Sequence, residues 1–119
     1  MSIEVEHKKL VESLAKPGHE IVNGMMYHEG HMVHMALLLA GEVGELVDAI
    51  KKGVIYKKDY DYENILEELG DIEFALCAIR EIFGFSRNEV IKANISKLTK
   101  RYPSGSYSNE QAINRADKQ

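Results

Sequence analysis

Apolar residues recur at helical intervals in four stretches of the chain. Residues 2 to about 15 carry Ile3, Leu10, Val11 and Leu14 among Lys and Glu, which predicts a helix with one weakly apolar side. Pro17-Gly18 ends it, and residues 19–30 hold two glycines and no clear period, so they predict a short helical turn and no more. From about residue 31 to 52 the pattern strengthens. Val33, Ala36, Leu37, Ala40, Val43, Val47 and Ile50 fall on one side of a helix. Met35, Leu39 and Leu46 widen this apolar arc to roughly 200°, broad enough to call for more than one covering neighbour, another subunit among the candidates. Gly41 and Gly44 each cost about 1 kcal/mol relative to Ala in mid-helix, which close approach of a helix or ligand would offset. Gly53, after Lys51 and Lys52, is expected to close the helix.

Residues 54–61 read as a connecting loop rich in Tyr and Lys, with Asp59 or Asp61 placed to cap a helix that runs to about Phe83. Ile65, Leu69, Ile72, Ala75, Leu76, Ile79 and Ile82 form its apolar face. Gly84 ends it, and Ser86-x-x-Glu89 is a capping box that opens a further helix to about Arg101. Ile91, Ile95, Leu98 and Tyr102 make one side of this helix, while Asn94, Lys97 and Arg101 align on the other. Pro103 stops it, Ser104-Gly105-Ser106 turns the chain, and Ser108-x-x-Gln111 caps a last short helix to about Ala116. The expected fold is all-α, a four-helix-bundle type in a single domain over residues 1–119. Its core spans about 31–102 and its tail 103–119.

Two acidic repeats interrupt these faces: Glu42-x-x-Glu45 and Glu68-x-x-Asp71. A residue and its i+3 neighbour share a helix face, so each repeat aims two carboxylates the same way. Glu68 falls inside its helix's apolar face and Asp71 on the border, whereas Glu67, Glu73 and Glu81 point elsewhere. An ionised carboxylate among core positions is costly unless it is paired or metal-bound. If the two helices form an antiparallel hairpin, the pairs face each other as an all-oxygen cage. Such a cage suits a hard divalent cation, Mg²⁺ above all, with Mn²⁺ as a substitute.

Composition narrows the chemistry further. The chain is 45% hydrophobic and 29% charged, hence globular. A net charge of −4 disfavours nucleic acid as a partner, yet admits a small anionic ligand beside a metal. Cys77 is the only cysteine, which excludes an internal disulfide and points to a reducing, cytoplasmic setting. The longest apolar run, around Met35 to Ala40, is too short to span a membrane, and no signal peptide is expected. The polar stripe of Asn94, Lys97 and Arg101 reads either as a solvated face or, beside an acidic cage, as a grip for polyphosphate. His28, His31 and His34 recur every third residue without a cysteine or fourth ligand nearby, which disfavours zinc; His34 remains a candidate for contact with a nucleobase. Met25, Met26, Met32 and Met35 read as packing material. No GxxxxGK[ST], GxGxxG or nucleophile elbow occurs, and neither acidic pair is a Glu-x-x-His of the di-iron type.

The stretches LLLAGEVGELVDAIKK, EELGDIEFAL and NISKLTKRYPSGSYS together resemble the MazG-like branch of the all-α nucleoside triphosphate pyrophosphohydrolases. The resemblance covers roughly residues 31–117, and the ending RYPSGSYSNEQAINRAD is similar to the tails of short stand-alone and phage-borne members. It implies Mg²⁺ binding by Glu42, Glu45, Glu68 and Asp71, and triphosphate contact by Lys97 and Arg101 with Asn94 nearby. It also implies hydrolysis of a nucleoside triphosphate to the monophosphate and pyrophosphate, in a homodimer or dimer of dimers. From residue chemistry, Glu42 or Glu45 is the candidate to take the proton of the attacking water, and Lys97 and Arg101 to hold the leaving pyrophosphate. Two alternatives stand beside this reading: an enzyme selective for a deoxypyrimidine or aberrant triphosphate, and a non-catalytic oligomer that binds nucleotide or metal. The sequence leaves open base and sugar preference, the phosphorus attacked, the number of metal ions, the oligomer size and the biological role.

Overall fold

A computed structural model describes all 119 residues, in six α-helices and a terminal 3₁₀ turn, without a strand. The chain divides into two compact units, residues 1–33 and 34–119.

In the first unit, α1 (Ile3–Leu14) starts where Ser2 Oγ accepts the Val5 N–H at 3.2 Å, and none of its residues is buried. Here α2 (Gly18–Gly24) occupies a segment whose sequence shows no clear period. The long helix α3 (Tyr27–Val54) begins four residues before its apolar periodicity does. Its start is set by a cap: the Glu29 carboxylate accepts the Met26 N–H at 2.8 Å, the side-chain half of a capping box.

In the second unit, the remainder of α3 runs antiparallel to α4 (Tyr62–Phe83), followed by α5 (Arg87–Arg101), α6 (Asn109–Asn114) and the 3₁₀ turn Ala116–Lys118. Short-range signals place the boundaries. Asp61 caps α4 by accepting the Asn64 N–H at 3.1 Å, and Ser86 and Ser108 cap α5 and α6 in the same way. Gly84 closes α4 in the left-handed conformation, φ 73°.

Gly53 departs from expectation. It lies inside α3, is buried, and is covered by the Tyr60 ring; a Cβ there would collide with that ring. Its lack of a side chain lets the loop at 55–61 fold back on the helix, and it does not act as a left-handed cap.

The covered side of α3 also differs from its widest apolar stripe. Met35, Ala49 and Gly53 are buried, with Leu38, Leu39, Glu42 and Leu46 half-buried. By contrast Val33, Ala36, Leu37, Ala40, Val43, Val47 and Ile50 are all exposed, Leu37 by 67%. The buried positions are Met35, Ala49 and Gly53 on α3, with Ala75 and Glu68 on α4. On α4 the expected face holds, with Ala75 fully buried and Ile65, Ile72, Ile79 and Ile82 half-buried, while Leu69 and Leu76 sit at the exposed edge. Ile91, Ile95 and Leu98 of α5 are exposed, and α5 packs instead against the tail.

Candidate functional site

The antiparallel run of α3 and α4 brings carboxylates together from both helices. Glu42, Glu68 and Asp71 each place a carboxylate oxygen within 4.8 Å of the others. Glu68 is buried at 8% exposure, Glu42 is half-buried and Asp71 is exposed to solvent. Glu68 is buried because its helix face is otherwise apolar, with Ile65, Ile72 and Ala75 around it in register.

One oxygen of Glu42 and one of Glu68 are buried without any hydrogen-bond donor. Facing acceptors without a donor must share a proton or a cation. The electrostatics agree: the Glu68 carboxyl is pushed up to about 7, first by the Glu42 carboxylate at hydrogen-bonding reach, then by burial, then by Glu45 through hydrogen bonding and charge. Three converging carboxylates, two of them with an orphaned buried oxygen, fit a hard divalent cation in donor type and charge. The acidic cluster of Glu42, Glu68 and Asp71 can therefore bind a metal.

Glu45 takes a different position from its i+3 partner. It is exposed and lines an open cleft of about 470 Å³ together with Glu68, Gly41, Gly44, Asp48 and Asn64. No atom lies within 4 Å of where a Cβ on Gly41 or Gly44 would stand, so neither glycine serves a helix contact in this chain; both leave the cleft wall open. Apolar periodicity does not mark Asp48 or Asn64. Asp48 extends the three-residue ladder of Glu42 and Glu45, and Asn64 stands one turn before Glu68, so spacing alone carried both signals. Asp48 also pairs with Lys52 at 3.0 Å on the exposed side of α3.

The remaining candidates are more dispersed. His34 is exposed on α3, and Asn94 and Lys97 are exposed on α5. Arg101 is half-buried and held by Asp117, with Nε 2.8 Å from one carboxylate oxygen and Nη2 3.1 Å from the other. This bidentate pair lowers the Asp117 carboxyl from its ordinary value, Arg101 being the first cause, and raises the guanidinium further.

No curated protein and no solved structure matches the chain significantly. A family model does: that of the MazG nucleotide pyrophosphohydrolase domain matches residues 31–106, more than half of the chain. The match contains the four carboxylates Glu42, Glu45, Glu68 and Asp71, together with Asn94, Lys97 and Arg101. On this match, and with an all-helical structure to go with it, the chain belongs to the MazG nucleotide pyrophosphohydrolase domain family.

Proposed function

We propose that this chain is a Mg²⁺-dependent nucleoside triphosphate pyrophosphohydrolase, converting a ribo- or deoxynucleoside triphosphate and water to the monophosphate and pyrophosphate. The observation that carries the reading is Glu68, a buried carboxylate with an orphaned oxygen facing Glu42 and Asp71. Mg²⁺, or Mn²⁺ in its place, fits this donor set, with Glu45 completing it from the cleft side.

Bound there, the cation supplies charge neutralisation on phosphate oxygens and a lowered pKa for its water. The protein's own groups do the rest. Glu42, Glu68 and Asp71 converge on one point. Glu45 faces the cleft, where a carboxylate can accept the proton of an attacking water, with Glu42 the other candidate for that transfer. Lys97 and Arg101, with Asn94 beside them, hold the leaving pyrophosphate, Lys as a point charge and Arg through its planar fork. His34 is assigned to contact with the base.

The open apolar stripe of α3 supports self-association. Leu37, Val43, Val47 and Ile50 are exposed along one side of a helix whose other side already meets α4. A second copy covering this stripe gives a four-helix arrangement, in a dimer or a dimer of dimers. No helix is long and apolar enough to cross a membrane.

Pyrophosphate release from a panel of nucleoside triphosphates, with Mg²⁺, with EDTA and with Glu68→Gln, tests the reading. Metal-dependent release that the substitution abolishes is expected, and the ranking of the panel distinguishes a broad enzyme from one selective for deoxypyrimidines. Nucleotide and metal binding without release would make the chain a binding module instead.

A further inference from the structure

The tail of this chain is folded around a single carboxylate. Beyond Pro103, Ser104 Oγ bonds Gln111, Tyr107 bonds Asn109, and Ser108 caps α6. Arg115 then adopts the left-handed conformation, φ 48° and ψ 56°, an uncommon choice for a residue with a side chain. That bend ends α6 and turns the 3₁₀ segment back onto α5, where the Asp117 side chain is 3% exposed and meets Arg101.

The geometry of the contact matters more than its presence. A guanidinium has five N–H donors in a planar fork. Asp117 takes the Nε donor and one donor of Nη2. The opposite edge, both donors of Nη1 and the second of Nη2, takes no part in the Asp117 pair, and the Tyr102 phenol lies within reach of the guanidinium. An edge of this kind matches two oxygens of a phosphate group. Lys97 stands one turn earlier on the same side of α5, exposed, so the pair with Asp117 does not leave the stripe without positive charge.

We propose that Asp117 is a positioning residue, which clamps the Arg101 guanidinium by its Nε/Nη2 edge and presents the Nη1/Nη2 edge to a substrate phosphate. The inference rests on Arg101 as a phosphate contact and extends that reading to a residue outside the matched family segment, which ends at residue 106. An unclamped arginine at the end of a helix must order several rotatable bonds on binding phosphate; the clamp removes that cost beforehand. The depressed Asp117 carboxyl is consistent with a permanently charged clamp.

The test uses the full chain and the substitutions Asp117→Asn, Asp117→Ala, Arg101→Ala and Arg101→Ala/Asp117→Asn. The readouts are kcat, KM for triphosphate, the inhibition constant of inorganic pyrophosphate, and Tm. Asp117→Asn keeps the side-chain shape, so it is expected to raise KM and the inhibition constant on the order of 10-fold, the scale on which outer partners of a contact residue act. Its kcat should stay near wild type, and in the Arg101→Ala background it should add nothing to either constant. Three outcomes overturn the proposal. In the first, Asp117→Asn and Asp117→Ala lower Tm but leave both constants unchanged while Arg101→Ala raises them, so the contact only fastens the tail. In the second, the Asp117 substitutions lower KM, so the carboxylate competes with phosphate for Arg101. In the third, Arg101→Ala itself changes neither constant, so the assignment of Arg101 to phosphate fails and the clamp with it.

Discussion

The carboxyl of Glu68 faces that of Glu42, and each keeps one buried oxygen that meets no donor within the chain. Two like charges held this way destabilise the fold unless a cation or proton intervenes. Asp71 on the next turn of α4 adds a third carboxylate to the same point.

Glu68→Gln therefore has opposite effects with and without metal. In EDTA it relieves repulsion and is expected to raise Tm by a few degrees. With Mg²⁺, the wild-type protein gains stability by mass action and the variant gains little. Pyrophosphate release should fall on the order of 10²-fold or more, as expected for loss of preorganised charge stabilisation. Thermal melts in EDTA and in Mg²⁺, alongside a pyrophosphate assay, check all three. A variant that melts lower in EDTA would show that Glu68 contributes to the core and not to strain.

Lys97→Ala separates substrate from metal. Lys97 is exposed on α5, outside the acidic cluster. Its loss should raise KM for triphosphate by about 10-fold, corresponding to about 1.4 kcal/mol of contact with phosphate, while the Mg²⁺-induced rise in Tm stays intact. If that rise disappears too, Lys97 acts on the cluster and the division of roles is wrong.

Acid stability reports on the tail. The Asp117 carboxyl is lowered from its ordinary 3.8, mainly by Arg101. Its stabilisation is thus fully present above pH 3.8 and is lost as pH falls through the depressed value. The Tm of wild-type protein should fall more steeply below that pH than the Tm of Asp117→Asn, which has no carboxylate left to protonate. Parallel melting curves from pH 6 downward would refute the pairing.

Gly53 and Tyr60 form a steric couple. Gly53→Ala gains about 1 kcal/mol of helix propensity but forces the Tyr60 ring aside, and overpacking typically costs about 1–3 kcal/mol. A net loss of stability is expected. In a Tyr60→Ala background the same change should stabilise, because only the propensity gain remains. Chemical denaturation of the four proteins of this double-mutant cycle reads the coupling directly.

The exposed stripe of α3 predicts association. Leu37→Glu or Val47→Glu places a charge on it and should shift the protein toward monomer in sedimentation measurements, while a cluster residue such as Asp71 changed to Asn should not. A monomeric wild-type protein would remove the second copy from the reading.

Much of this structure is short-range, and short-range features are visible in a sequence. Asp61, Ser86 and Ser108 each bond an N–H three residues on, and Gly84 adopts the left-handed cap, because a cap needs only its own turn of helix. Glu68 was legible for the same reason. Its helix face is apolar on either side, so its burial follows from periodicity alone. The start of α3 at Tyr27 was less legible, since it depends on Glu29 reaching back to Met26 where no apolar pattern marks it.

Other features arise only when distant segments meet. The broad apolar arc of α3 contains more hydrophobic surface than one neighbouring helix can cover. Periodicity shows its width, but only the packing of α4 shows that Met35 and Ala49 are buried while Leu37, Val43, Val47 and Ile50 stay exposed. Gly53 looks like a helix terminator until Tyr60 is seen lying on it. Asp117 looks like an ordinary acidic residue near a chain end until the left-handed Arg115 turns it onto Arg101, sixteen positions away. A residue's periodicity states which side of its own helix it occupies. What stands opposite depends on loops and bends elsewhere in the chain, and at the acidic cluster and the tail that opposing group defines the chemistry.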